Sequence, residues 1–238
     1  MMMGKKIVIK IGGSLLFTED NKLHLKKITE FCNIIKNSKN YERIVIVCGG
    51  GIIARDYINA VRSLGGNESL CDIFGIELSR INAKLIISKF QDLAYPIVPK
   101  SIEELSSALL FGKIVVMGGL QPGQSTTSVA LEVAEYINTE EILILTNVKG
   151  IYDKDPRKFS DANFYEKLTY KELQNLILKL SEDKQAAAGE YRIFDAVSLQ
   201  ILKRSKIKVL VMSGENLDNF RNYLNEEKNI VGTLISDK

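Results

Sequence analysis

Histidine is the scarcest reactive residue: the 238-residue chain has one, His24. A single histidine cannot build a multi-histidine metal site, and a Ser-His-Asp or Cys-His triad would rest on it alone. It lies among Lys22, Lys26 and Lys27 at the start of a predicted helix, so a solvated surface residue is expected. Cysteine is nearly as sparse. Cys32, Cys48 and Cys71 form no C-x-x-C pair, which argues against a disulfide framework or a cysteine zinc site. Long apolar runs are also missing, the longest being about five residues where a membrane span needs roughly 20. Met1-Met2-Met3-Gly4-Lys5-Lys6 leads straight into a strand pattern without a signal-peptide core, so the cytoplasm is the expected location and no membrane partner is expected. The net charge of +3 is spread along the chain, which does not suit a nucleic-acid partner.

What is present is an ordinary globular balance, 45% hydrophobic and 26% charged, over a length that allows one large α/β domain or two small ones. Short β-branched runs at Ile7–Ile11, Ile44–Val47, Ile114–Met117, Ile142–Leu145 and Val209–Met212 alternate with helical patterns. The helices are predicted around Ile28–Ile35, from Ile52, through Phe74, Leu78, Ile81 and Leu85, over Val129–Tyr136, and over Val197–Lys203. Capping boxes at Ser101/Glu104 and Thr169/Glu172 open two more. The tail from Ile230 to Ile235 reads as a last strand. Strands that are apolar throughout and separated by helices predict a mainly parallel sheet covered on both faces. A single domain over residues 1–238 is expected, with a possible division into lobes near residue 140.

Three strands end in glycine clusters: Lys10-Ile11-Gly12-Gly13-Ser14, Gly49-Gly50-Gly51, and Gly118-Gly119 with Gly123 behind it. Ligands of open α/β sheets bind beyond the carboxyl ends of the strands. There glycine lets backbone N–H groups close on an anion, and a following helix adds its positive end. Gly49-x-Gly51-x-x-Ala54 fits the dinucleotide fingerprint, but no acidic residue ends a strand about 20 positions later. Gly118-x-x-x-x-Gly123-Gln124-Ser125 fits a phosphate loop except that Gln124 replaces its lysine. Lys10, on a strand just before its glycines, is expected to face an anion, and Arg55, one turn into the next helix, can reach the same anion. Lysines, backbone amides and no histidine base suit phosphoryl transfer, which is mostly positioning and charge stabilisation. An acceptor that is already an anion needs no general base. Thr146-Asn147-Val148-Lys149-Gly150-Ile151-Tyr152-Asp153-Lys154-Asp155-Pro156 is a loop suited to cover a base and ribose.

Taken in order, K-x-G-G-S, the triple glycine, the G-G loop and T-N-V-x-G-x-Y-x-x-D-P resemble the amino-acid-kinase superfamily. Cys71-Asp72-Ile73-Phe74-Gly75-Ile76, Gly118 to Thr126, and Ala188-Gly189-Glu190-Tyr191 with Arg204-Ser205-Lys206-Ile207 resemble its archaeal type of uridylate kinase. The resemblance implies a three-layer αβα sandwich, ATP and Mg2+ as co-substrates, UMP as acceptor, UDP as product for pyrimidine nucleotide synthesis, and a hexamer. It implies acceptor binding by residues 1–140 and ATP binding by residues 141–238. Carried over by position, Lys10, Ile11, Gly12, Gly13 and Ser14 would hold the ATP phosphates, with Lys10 on the transferred group and Arg55 beside it as the second catalytic cation. Gly51, Arg55, Thr146, Asn147, Tyr152 and Asp155 would also touch ATP. Gly50, Asp72, Leu120, Gln121, Pro122, Gly123, Gln124, Ser125 and Thr126 would touch UMP, and Mg2+ would be held mainly by ATP phosphates.

Two positions depart from the family pattern. Lys149 stands where the loop often has aspartate, which matters if that position orders the loop or helps a metal. Tyr191 to Val197 lacks the second active-site lysine of many superfamily members, a lack that uridylate kinases share. Other small-molecule kinases of the fold, acting on a carboxylate or isopentenyl phosphate, stay open at this point. So does a non-catalytic nucleotide or oxyanion binder.

Overall fold

The computed structural model describes residues 5–111, 114–182, 193–227 and 229–237. Its elements run β1 (Lys6–Ile11), α1 (Leu25–Asn37), β2 (Arg43–Cys48), α2 (Gly51–Ser63), α3 (Glu68–Phe90), α4 (Ile102–Phe111), β3 (Ile114–Met117), α5 (Thr126–Tyr136), β4 (Glu141–Thr146), β5 (Ile151–Tyr152), β6 (Phe164–Tyr165), β7 (Lys167–Leu168), α6 (Tyr170–Glu182), α7 (Ala196–Ser205), β8 (Lys208–Ser213), α8 (Asp218–Leu224) and β9 (Thr233–Ile235). Seven strands form one sheet in the order β3-β2-β1-β4-β8-β9-β7. The first five are parallel, and β9 runs antiparallel to β8. The sheet continues unbroken across residue 140, because β1 pairs with both β2 and β4.

The apolar strands are buried on both faces, as a parallel sheet requires. Side chains alternate across the pleat. Ile7, Ile9 and Ile11 enter one core with Phe31 of α1, Ile86 and Phe90 of α3 and Phe220 of α8. Val8 enters the opposite core with α4, α5, α6 and α7. The layers are therefore αβα. The same alternation puts Lys10 on the Val8 face, in register with Val47 and Ile144. It reaches that face at the strand's carboxyl end, on the side where α5 packs.

Two local expectations need correction. Helix α3 forms, but Phe74, Leu78, Ile81 and Leu85 are not its buried stripe. Ile76, Ser79, Asn82, Ala83, Ile86, Ile87 and Phe90 face the protein, and Ile81 is 55% exposed. The helix is apolar on two sides, so its periodicity shows a helix without showing which face turns inward. His24 is not simply solvated: half-buried, it is the N-cap of α1, its Nδ1 accepting the Lys27 N–H at 3.3 Å. The Thr169/Glu172 box forms reciprocally. In the other, Ser101 Oγ accepts the Glu104 N–H, but the Glu104 carboxylate reaches back to Lys100 N–H. The β5–β6 hairpin, β7 and α8 carried no clear sequence signal. Ala188 to Arg192 lie outside the described residues.

Candidate active site

The three glycine loops meet at one edge of the sheet around a cleft of about 400 Å³. Gly12 N–H bonds to Leu145 O, which ties the first loop to the end of β4. A Cβ on Gly13 would sit 2.0 Å from Gly51 N, so the first two loops pack backbone against backbone. Gly51 itself takes a φ of 77°, which opens α2 in a conformation that side chains resist. α5 also starts at the cleft, but from an extended N-cap, with Ser125 Oγ accepting the Ser128 N–H. Both helices present their positive ends to the cleft.

Lys10, Arg55 and Arg157 bring positive charge to the cleft, and Asp72 is the one carboxylate among the described lining residues. Burial pulls the Lys10 ammonium down to about 8, and the nearby Arg55 adds to the effect. A lysine held in this way gains most from an incoming anion. Arg157 is held by a two-point pair with Asp155, Nε to Oδ1 at 3.0 Å and Nη2 to Oδ2 at 2.8 Å. That pair keeps the Asp155 carboxyl below its ordinary range.

Helix α3 acts as a scaffold behind two loops. Asn82 Nδ2 donates to Gly49 O and Gly50 O. Ser79 Oγ accepts the Gly119 N–H at 2.7 Å, and Arg80 donates to Gly119 O and Leu120 O at 3.0 and 3.1 Å. Asp72 Oδ2 accepts the Gly123 N–H at 2.7 Å, closing the third loop over α3. On the far side Asp195 caps α7 and accepts Ser128 Oγ–H at 2.9 Å. Burial raises the Asp195 carboxyl, but hydrogen bonds from Ser125, the Ser198 amide and Ser128 outweigh it and hold the group below its usual range. The starts of α5 and α7 are thereby joined.

Of the residues expected at the site, the cleft gathers Lys10, Gly12, Gly13, Ser14, Gly50, Gly51, Arg55, Asp72, Gln124, Ser125, Thr126, Thr146 and Asn147. Ile11 points into the core at 2% exposure, away from the cleft. Leu120, Gln121, Pro122, Gly123, Tyr152 and Asp155 stand outside the lining. Gly123 and Asp155 are linked to it through Asp72 and Arg157. Tyr152 instead packs on Phe164, ring centroids 5.4 Å apart, within the hairpin. Lys149 is exposed, with its ammonium 4.6 Å from the centre of the Phe164 ring, also outside the cleft. Sequence reasoning missed Arg157, whose only signal was its place beside Asp155-Pro156. It also missed Ser79, Arg80 and Asn82, which lie on the face of α3 that periodicity did not single out.

A parallel αβα domain with glycine loops, two helix starts and a desolvated lysine at one sheet edge belongs to the class of phosphate-binding α/β proteins. Residues 5–213 match the model of the amino acid kinase family, and the chain belongs to that family. It is 41% identical over 230 residues to a uridylate kinase of Sulfolobus acidocaldarius, covering 97% of this chain and 98% of that one. It is 40% identical over 233 residues to a uridylate kinase of Methanobrevibacter smithii, covering 98% and 100%. Among solved structures, the uridylate kinase of Archaeoglobus fulgidus superposes with a TM-score of 0.80 at 33% identity, covering 97% and 99%. The UMP kinase of Ureaplasma parvum gives 0.79 at 25% identity, covering 99% and 100%.

Proposed function

We propose that this chain is a UMP kinase, moving the terminal phosphoryl group of ATP to UMP. The observation that carries the reading is full-length similarity to uridylate kinases together with Lys10 at the floor of a cleft rich in backbone amides. An oxygen of the UMP phosphate attacks the terminal phosphorus of ATP, the bond to the bridging β-oxygen breaks, and UDP and ADP result. The attacking group is already an anion, so no residue has to take a proton. Lys10, Arg55 and the two helix starts would stabilise the charge spread over the transferred group.

The nucleotide assignments follow the sheet. Lys10 to Ser14, Gly51, Arg55, Thr146 and Asn147 would hold ATP, with Tyr152 and Asp155 closing over it from the hairpin side. Gly50, Asp72 and Leu120 to Thr126 would hold UMP. The single domain would work as an acceptor-binding half built on β1 to β3 and an ATP-binding half built on β4 to β9. Among the described residues no three carboxylate, histidine or cysteine side chains converge, and the cleft is cationic. Mg2+ would therefore enter on the ATP phosphates, which is how this ion commonly binds, and would supply further charge neutralisation there.

We further place the enzyme in pyrimidine nucleotide synthesis in the cytoplasm, where both nucleotides are found. No helix among the described residues is long and apolar enough to cross a membrane. We also propose a homo-oligomer, a hexamer by family resemblance. The outer face of α3 supports it, exposing Leu70, Ile73 and Ile81 beside a Tyr57–Phe74 stack. The deciding experiment is ADP production from ATP and Mg2+ with UMP, CMP, dUMP, AMP and N-acetylglutamate offered separately. Turnover with UMP is expected, and turnover only with another acceptor would overturn the acceptor assignments.

A further inference from the structure

Asn82 is 5% exposed on the inner face of α3. Its Nδ2 donates to two successive carbonyl oxygens of the β2 loop, Gly49 O at 2.8 Å and Gly50 O at 3.1 Å. Reversing the carboxamide would set Oδ1 against both carbonyls, so the donor orientation is the one the site can satisfy. The loop also lies close on the helix, since a Cβ on Gly50 would come within 3.3 Å of Gly75 O.

The consequence follows from peptide geometry. In a trans peptide unit the C=O and N–H point in opposite directions. The carbonyl of Gly49 shares its unit with the N–H of Gly50, and the carbonyl of Gly50 shares its unit with the N–H of Gly51. Holding both carbonyls on α3 turns both N–H groups away from α3. Gly50 and Gly51 line the cleft together with Lys10 and Gly13. Gly51 is also the first residue of α2, so its N–H has no partner within the helix.

We propose that Asn82 is a positioning residue for phosphoryl transfer: by capturing two carbonyls behind the loop, it aims the Gly50 and Gly51 amides at phosphate oxygens in the cleft. The inference rests on the phosphoryl-transfer reading of the site. It explains why an asparagine stands among apolar neighbours. Aspartate would offer only acceptors to the two carbonyls, and leucine would fill the space, leaving Gly49 O without this donor and Gly50 O with only the intrahelical bond of the α2 N-cap. Oriented donors of this kind cost no reorganisation when charge develops, and losing one typically lowers turnover by about 10²–10³-fold.

The test uses the full chain labelled with 15N-glycine, titrated first with inorganic phosphate and then with ADP. In the wild type the Gly50 and Gly51 amide resonances are expected to move downfield with either anion, while Gly65, on an exposed turn away from the cleft, stays still. In Asn82→Ala and Asn82→Asp the response of the two amides should collapse. The kcat of the folded protein should fall by about 10–100-fold, less than for outright loss of the donors, with the KM for UMP changed far less. Silent Gly50 and Gly51 amides in the wild type overturn the proposal, and that measurement needs no variant to fold. An unchanged amide response in folded Asn82→Ala overturns it too. Anion titration does not depend on turnover, so failure of the UMP-kinase reading would show separately as absent UDP formation by a protein whose glycine amides still respond.

Discussion

Replacing Lys10 by methionine should make the ligand-free protein more stable and the enzyme far slower. Met keeps most of the side-chain length and apolar volume and removes the charge. The ordinary lysine value is 10.5, and burial, with a contribution from Arg55, pulls Lys10 to about 8. At about 1.4 kcal/mol per pH unit, keeping the ammonium charged in the empty cleft costs about 3 kcal/mol. Partial solvent access reduces this, and a gain of about 1–3 kcal/mol at pH 7 is the working figure. The sign follows from proton linkage. Below about pH 8 both folded and unfolded chains carry the proton, and the full penalty weighs on the wild type. Between about 8 and 10.5 the unfolded chain binds more protons, so wild-type stability rises relative to the variant. Above 10.5 the difference is gone. Urea unfolding of both proteins at pH 7, 8.5 and 9.5 reads this directly, and kcat should fall by about 10²–10³-fold in the same variant. A variant no more stable than the wild type at pH 7, or a gap that does not close with rising pH, would refute the reasoning.

The remaining expectations concern the same cleft and its supports. ATP should take up close to one proton on binding near pH 9, because the anion restores the Lys10 charge; calorimetry in buffers of different ionisation enthalpy measures it. Gly13→Ala should destabilise the protein by about 3 kcal/mol or more in denaturant titration, since the new methyl meets the Gly51 backbone at 2.0 Å, where nothing flexible can yield. Asp72→Ala should raise the KM for UMP by about 10-fold, for the loss of a charge-assisted hydrogen bond, and leave the KM for ATP near its wild-type value, because the Gly123 loop loses its anchor. Ile81→Glu should give a smaller species in light scattering if the outer stripe of α3 is covered by a second copy, and an unchanged mass would remove that face from the assembly.

The order of the main elements was legible because β1 to β4 and β8 are short, mostly apolar runs rich in Ile, Val and Leu and most of the long helices keep a 3.6-residue period, whereas the β5–β6 hairpin, β7 and α8 carry no such pattern. Those patterns are local, and so are the glycine clusters and the lysine before the first of them. Local pattern alone therefore predicted a mainly parallel sheet covered on both faces and put Lys10, the glycine loops and Arg55 around one anion site, while the αβα layering and the places of Asp72, Gln124, Ser125, Thr126, Thr146 and Asn147 came from the family resemblance. The tertiary structure decided what local pattern cannot carry. α3 is apolar on both sides, and only packing shows that Ser79, Asn82 and Ile86 turn inward while Ile81 turns out. Asn82 lies 33 residues from Gly49 along the chain, and Arg80 lies 40 from Leu120. The hydrogen bonds that orient the loops join residues with no shared periodicity, and they exist only once β2 and β3 have both been laid against the same helix. The low Lys10 value likewise follows from the burial and the neighbouring Arg55 that the fold imposes on it.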